Sequence, residues 1–289
     1  MQADQRTVLI TGATSGIGLQ TAKILAQKGF AVMGVGRSQE RIDAALKYLD
    51  NSKACYFLAD LASQQQIRRL AAEVREHLNG RGLDVLINNA GTFYSYYALS
   101  DEGVEMQFAV NVAAPYLLSH LLYEDLKKVQ GRIIMLSSGS HYKTAVHWND
   151  IQLSQHYRQL QAYKQTKLFA VHLAREFNKR FNGVRAFAAD PGLVNTEMGL
   201  KYTKGVARVI WKYRKRLGVQ TQEGARTPVY LATEKDLGED IYWKDGKPKA
   251  PARNAMRNDF SQRIWEYCER ICAIDSNRVI EEGEHCGTE

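Results

Sequence analysis

Prolines and cysteines are scarce in this chain, and long apolar runs are missing altogether. Five prolines in 289 residues, beside 45% hydrophobic and 24% charged residues, exclude a low-complexity or extensively disordered chain and leave ordinary globular composition. No apolar stretch approaches the ~20 residues that a membrane span needs. The N-terminus runs from Met-Gln-Ala-Asp-Gln-Arg directly into a strand pattern, so neither a signal peptide nor a membrane anchor is expected, and the reading is cytoplasmic. The four cysteines are Cys55, Cys268, Cys272 and Cys286. Cys268 and Cys272 are helically spaced, but no second Cys or His pair completes a zinc site, so reduced thiols are expected. His141, His147 and His156 lack the spacing of a helical ligand pair, and no metal is expected.

Charge is the one compositional excess. The net charge is +8 with a pI near 9.2. Much of it is local: Lys201, Lys204, Arg208, Lys212, Arg214, Lys215 and Arg216 meet only neutral partners. Nucleic acid, an anionic lipid surface and a phosphorylated cofactor could each use such an excess. No helix-turn-helix, zinc-finger or RNA-recognition signature accompanies it, so no nucleic acid partner is expected. The 198–217 segment also reads as a basic amphipathic helix, with Val206, Val209, Ile210 and Tyr213 on one stripe. Such a helix either walls a substrate loop or touches a membrane surface.

The chain opens with an apolar run over 6–11 and a glycine-rich turn, Gly12, Ala13, Thr14, Ser15, Gly16, Ile17, Gly18, followed by an amphipathic stretch that stops at Gly29. Strand, glycine turn and helix begin a mononucleotide-binding unit, whose glycines let backbone N–H groups approach a pyrophosphate. The next strand, 31–35, ends at Gly36, Arg37 and Ser38, with no carboxylate before Glu40. An acid at that strand end would bind the 2′-hydroxyl of NAD, whereas an Arg accommodates the 2′-phosphate of NADP(H), so NADP(H) is favoured over a mere loop-capping arginine.

Helices and strands then alternate. Helices are expected over 41–49, 65–78, 104–126 and 157–181, and strands over 54–59, 83–87, 132–136 and 184–189. The pattern predicts an α/β fold, a Rossmann-type doubly wound parallel sheet with helices on both faces, in a single domain over 1–289. Its core is 6–200, with substrate-loop helices over 198–235 and a C-terminal extension over 236–289. The ligand crevice lies outside the carboxyl ends of the strands.

Within 157–181, Tyr163 and Lys167 are four residues apart and project from one helix face. A cation beside a phenol favours the phenolate, lowering a pKa that otherwise sits near ~10, and suits the phenol to proton transfer. Alone, the pair is equally an ordinary solvated helix pair. Asn111 lies four residues before Pro115, which has no N–H to give to the carbonyl of residue 111, so the helix is expected to kink there and free that carbonyl. A buried structural amide is the other reading of Asn111.

Together, Thr11–Gly18, the run Asn88-Asn89-Ala90-Gly91, Ser138, Tyr163-x-x-x-Lys167 and Pro191-Gly192-x-Val194-x-Thr196 resemble the short-chain dehydrogenase/reductase family, in order, across about residues 6–200. Within it the chain looks most like the retinol-dehydrogenase-like branch, through Gly36-Arg37, the 25 positions from Ser138 to Tyr163, and the tail containing Tyr242-Trp243. The resemblance implies Tyr163 as general acid/base, Lys167 as its pKa-lowering partner, Ser138 polarising the substrate carbonyl and Asn111 completing a tetrad. It implies cofactor contacts from Gly12, Thr14, Ser15, Gly16, Ile17, Gly18, Arg37 and Ser38. It implies others from Asp60, Leu61, Asn88, Ala90, Gly91, Tyr163, Lys167, Pro191, Gly192, Val194 and Thr196. Two departures stand out: no hydrophobic N-terminal anchor like that of membrane-bound members is expected from Met1 onward, and Asp190 stands where His or Arg often precedes Pro-Gly.

The function expected is an NADP(H)-dependent oxidoreductase interconverting a lipophilic or aromatic aldehyde or ketone and its alcohol. An NAD-preferring alcohol or hydroxysteroid dehydrogenase and a non-catalytic NADP(H)-binding regulator are the rival readings. The insert with Tyr142, Trp148 and Tyr157 is expected to help wall an aromatic pocket. A homodimer or homo-oligomer through the helices carrying Asn111 and Tyr163 would follow the family.

Overall fold

In the computed structural model the described residues are 5–49, 54–192, 194 and 220–274. Thr196, the 198–217 segment and Cys286 lie outside them. The first unit is β1 (Thr7–Thr11), α1 (Gly16–Gln27) and β2 (Ala31–Gly36). Next come α2 (Gln39–Leu49), β3 (Cys55–Leu58), α3 (Gln64–Leu78) and β4 (Val85–Asn88).

These strands and four more make one sheet, ordered β3-β2-β1-β4-β5-β6-β7-β8, with β5 at Arg132–Leu136 and β6 at Arg185–Asp190. β7 (Tyr242–Lys244) joins parallel to β6, and β8 (Lys247–Pro248) turns back antiparallel at the edge. The sheet expected to be parallel is therefore parallel except for this last strand, which a tight turn connects to β7. The order reverses between β1 and β4, the switch point at which such sheets open a crevice.

Strand residues divide between two cores because side chains alternate. Leu9, Met33, Leu86, Ile133 and Met135 pack with α3 and the helices near the Tyr–Lys segment. Val8, Ile10, Val32, Ile87 and Ile134 pack with α1 and a helix over Thr221–Thr233. Both faces are covered, so β1, β2 and β4 are buried along their whole length and read as unbroken apolar runs.

The 104–126 stretch is not the single helix expected. It divides into α4 (Met106–Phe108), a π-helical segment (Ala109–Ala113), α5 (Ala114–Leu121) and α6 (Tyr123–Lys127). The missing N–H of Pro115 removes an α-type bond, and the N–H of Ala114 reaches five residues back to the carbonyl of Ala109. α7 (Gln159–Arg180) carries Tyr163 and Lys167 on a 22-residue helix. The C-terminal helices are α8 (Thr221–Thr233) and α9 (Asn258–Cys272). α9 lies against α7 and α5, where Trp265 meets Tyr116 at 5.0 Å and Phe177 at 5.4 Å. Cys268 and Cys272 are free thiols on the buried face of α9, and burial pushes the Cys272 thiol up to about 12.

Candidate active site

A cavity of about 1100 Å³ opens along the carboxyl ends of the strands. Its floor starts at the glycine turn after β1. Gly12 has a φ of +65°, the left-handed region that favours glycine, and a Cβ on Gly18 would meet the carbonyl oxygen of Gly12 at 2.4 Å. The turn is also held from β4: Asn89 Nδ2 donates to the Thr11 carbonyl (2.8 Å), and the Ala90 N–H donates to Thr11 Oγ1 (3.0 Å). The first turn of α1 therefore faces the cavity, with Thr14, Ser15, Gly16, Ile17 and Gly18 in its lining.

At the end of β2, Gly36 lets this turn come close, since a Cβ there would meet the Thr14 methyl at 2.5 Å. Beyond it, Arg37, Ser38 and Arg41 line the same cavity, and both arginines are exposed. Ser38 Oγ accepts the Arg41 N–H (3.4 Å) and starts α2. Arg41 was not among the expected contacts. Its signal in the sequence is a second arginine four positions after Arg37, one helical turn away. Asp60 and Leu61 follow β3 in the cavity wall, and Asp60 Oδ1 accepts the Ala62 N–H (3.0 Å).

Of the two asparagines at the end of β4, only Asn89 lines the cavity, together with Ala90 and Gly91. Asn88, expected to do so, points into the core, where its Nδ2 donates to Ser119 Oγ (3.2 Å) and approaches Met135 Sδ (3.4 Å). The physical reason is strand alternation: Asn88 is the last residue of β4 and takes the face opposite to the crevice.

The reactive end is built by β5, α7 and β6. Ser138 follows β5, caps a 3₁₀ turn over Gly139–His141 and accepts the Ser140 N–H (3.2 Å). Its backbone is fixed by His141. The ring Nε2 accepts the Ala252 N–H (3.0 Å), which leaves Nδ1–H to donate to the Ser138 carbonyl (2.8 Å). Burial lowers the pKa of His141, in keeping with this neutral tautomer. On α7, Leu160, Tyr163, Lys164 and Lys167 fall at i, i+3, i+4 and i+7, and all four line the cavity.

Lys167 is 4% exposed; its Nζ donates to the Leu136 carbonyl (2.9 Å) and lies 5.6 Å from the centre of the Tyr163 ring. Burial pushes its ammonium down to about 8, and Asp190 works against that shift. Phe93 meets Tyr163 edge-on at 5.8 Å. Asn111 does not line the cavity; its side chain braces the parts that do. Nδ2 donates to the Thr92 carbonyl (3.0 Å) and Thr166 Oγ1 (3.1 Å), while Oδ1 accepts the Thr92 N–H (2.7 Å). Thr166 in turn donates to the Tyr163 carbonyl (2.8 Å). The Asn111 side chain is thus buried and bonded on both sides within the π segment.

Asp190, Pro191, Gly192 and Val194 close the wall after β6. Of the aromatic insert, only Tyr142 reaches this cavity. Trp148 lies in a separate polar depression, and the Tyr157 hydroxyl is tied to Glu105 Oε1 (2.9 Å). Tyr94, Met106 and Val110 supply the apolar lining that the sequence had not pointed to. Among the described residues no cluster of His, Cys, Asp or Glu could hold a metal ion, and no helix is long and apolar enough to cross a membrane.

A doubly wound sheet with a glycine turn at its switch point, a Ser after β5 and a Tyr and Lys on α7 facing the same cavity defines a dinucleotide-fold oxidoreductase class. Residues 6–206 match the family model described as short chain dehydrogenase, and the chain belongs to that family, in its retinol-dehydrogenase-like branch. It is 32% identical to human retinol dehydrogenase 13, over 96% of this chain and 87% of the relative. It is 32% identical to mouse retinol dehydrogenase 11, over 82% of this chain and 76% of the relative. Among solved structures, NADPH-bound carbonyl reductase from chicken fatty liver superposes with a TM-score of 0.65 at 26% identity, covering 85% of this chain and 99% of that one. An uncharacterized protein from Mycobacterium paratuberculosis superposes at 0.73 with 27% identity, covering 94% of each chain.

Proposed function

We propose that this chain is an NADP(H)-dependent oxidoreductase that interconverts a lipophilic or aromatic aldehyde or ketone and its alcohol. One observation carries the reading. Tyr163, Lys167 and Ser138 share a single cavity that continues past the glycine turn to Arg37 and Arg41. The donor set fits a phosphorylated dinucleotide. N–H groups at the start of α1 suit its pyrophosphate, and two guanidiniums, Arg37 just after β2 and Arg41 in the first turn of α2, suit a 2′-phosphate. Asp60 and Leu61 would hold the adenine side, Ala90 and Gly91 the central stretch, and Pro191, Gly192 and Val194 the nicotinamide side. When bound, the nicotinamide supplies or accepts the hydride.

The chain's own part is orientation and proton delivery. Tyr163 gives its phenolic proton to the substrate oxygen in reduction and takes it back in oxidation. The Lys167 ammonium favours the phenolate across the 5.6 Å to the ring centre. Ser138 hydrogen-bonds the carbonyl oxygen and fixes its direction. Tyr94, Met106, Val110, Tyr142 and Leu160 give the cavity an apolar wall, which supports a lipophilic or aromatic substrate.

The test is oxidation of NADPH and NADH by the purified protein against a panel of aldehydes and ketones that includes retinal. Turnover with NADPH should fall by about 10²- to 10⁴-fold in Tyr163→Phe. A Tyr163→Phe variant with unchanged turnover would remove the proton-transfer role. Preference for NADH would overturn the role of Arg37 and Arg41.

A further inference from the structure

The end of β6 holds a buried carboxylate that the reaction as described does not use. Asp190 is 1% exposed. Its Oδ2 accepts the Tyr242 hydroxyl (2.7 Å), and its Oδ1 accepts the Gly192 N–H (2.9 Å). Both donors are neutral, so they orient the carboxylate without balancing its charge, and a buried charge needs an opposite one. The buried cation nearby is Lys167. Its Nζ is bonded to the carbonyl of Leu136, which pairs across the sheet with Ala189, the residue before Asp190.

We propose that Asp190 is the counter-ion of Lys167, a positioning residue that keeps it an ammonium, and that Tyr242 of the C-terminal extension holds Asp190 in that role. The inference rests on the reading of Tyr163 and Lys167 as the proton-handling pair. Both residues line the same cavity, and the attraction acts through the low-dielectric interior, where charges are felt more strongly than in water. Asp190 raises the Lys167 pKa against the effect of burial.

The other groups around the carboxylate do not replace Lys167. His141 packs on Tyr242 at 4.7 Å between rings, but both its nitrogens are engaged as a neutral imidazole. The phenols of Tyr142 and Tyr242 are raised by burial and by Asp190 itself, so they stay protonated. Lys244 pairs with Asp190 in the β6–β7 register but is only partly buried, and Lys249 lies over the Tyr142 ring at the exposed edge. Water screens both cations far more than it screens Lys167. On α7 the titratable groups on the same face are Tyr163 and Lys164, which also line the cavity.

Two readouts test the proposal. The first is NMR of the full chain carrying ¹³Cε-lysine, with the Lys167 signal assigned by its loss in Lys167→Met. The wild-type signal should titrate near 8. Asp190→Asn should move that midpoint down by about one pH unit or more. Tyr242→Phe should move it the same way by less, and Lys244→Met should leave it in place. A midpoint unmoved by Tyr242→Phe, and by Asp190→Asn where that variant folds, overturns the proposal. So does a midpoint that follows Lys244→Met.

The second readout is the pH profile of carbonyl reduction, whose alkaline limb should move in Asp190→Asn, because the charge on Lys167 sets how firmly the Tyr163 phenol holds its proton. An alkaline limb that stays in place while the variant turns over also overturns the proposal. If the wild type reduces no carbonyl, the proposed function fails, while the NMR titration still decides the counter-ion.

Discussion

Gly18 shows how little room a single residue has at the centre of this site. A Cβ there would sit 2.4 Å from both the Gly12 carbonyl oxygen and Asn89 Nδ2, and the first of these is backbone that has no rotamer to yield. Gly18→Ala should therefore push the turn away from β4. The overpacking should cost about 1–3 kcal/mol of stability, read by urea unfolding. Dinucleotide affinity should fall by about tenfold or more, read by fluorescence titration, because the α1 N–H groups no longer converge. At this scale the sequence is informative where chemistry is local. The glycines, the Tyr163–Lys167 spacing and Arg37 are all legible in the linear chain. The roles of Asn88 and Asn89 are not, because identical neighbours on a strand end take opposite faces, and only the packed sheet decides which face opens on the crevice.

Among the elements, the π-helical segment over Ala109–Ala113 does the most to place the site. Its cause is written in the chain as Pro115. Its consequence is that Asn111 reaches Thr92 on one side and Thr166 on the other, linking the loop after β4 to the turn of α7 that carries Tyr163. Pro115→Ala restores an N–H for the carbonyl of residue 111 and adds helix propensity, so the π turn should relax toward an α-helix. Turnover should drop by about 10- to 100-fold as the Asn111 amide rotates off its partners. Thermal stability should hold or rise. Steady-state kinetics and a melting curve on the same variant check both halves.

For the molecule as a whole, acid is the informative stress. His120 and His172 are buried, and burial lowers their pKa values to about 4 and about 3. In the unfolded chain a histidine takes up its proton near ~6.5. Between that pH and the folded values the unfolded state binds more protons, so stability rises with pH and is lost as the pH falls from about 6.5 toward 4. A Tm decrease on the order of 5–10 °C is expected between pH 6.5 and 4.5. His120→Phe should flatten part of that slope, because the ring at the Tyr116, Phe177 and Trp265 cluster no longer titrates. Melting curves across that pH range, on wild type and variant, measure it.

The sequence by itself determined the alternation of strands and helices, the switch-point glycine turn, the interruption of the helix before Pro115 and the face shared by Tyr163 and Lys167. Each of these follows from backbone geometry over a few consecutive residues. Tertiary structure alone decided what depends on distant segments meeting. Tyr242 bonds Asp190 across 52 positions and His141 accepts from Ala252 across 111, so no local spacing marks either contact. The same holds for α9, which is an ordinary amphipathic helix in the sequence. It becomes the cover of α5 and α7 only because the sheet and those two helices leave an aromatic face for Trp265 to fill.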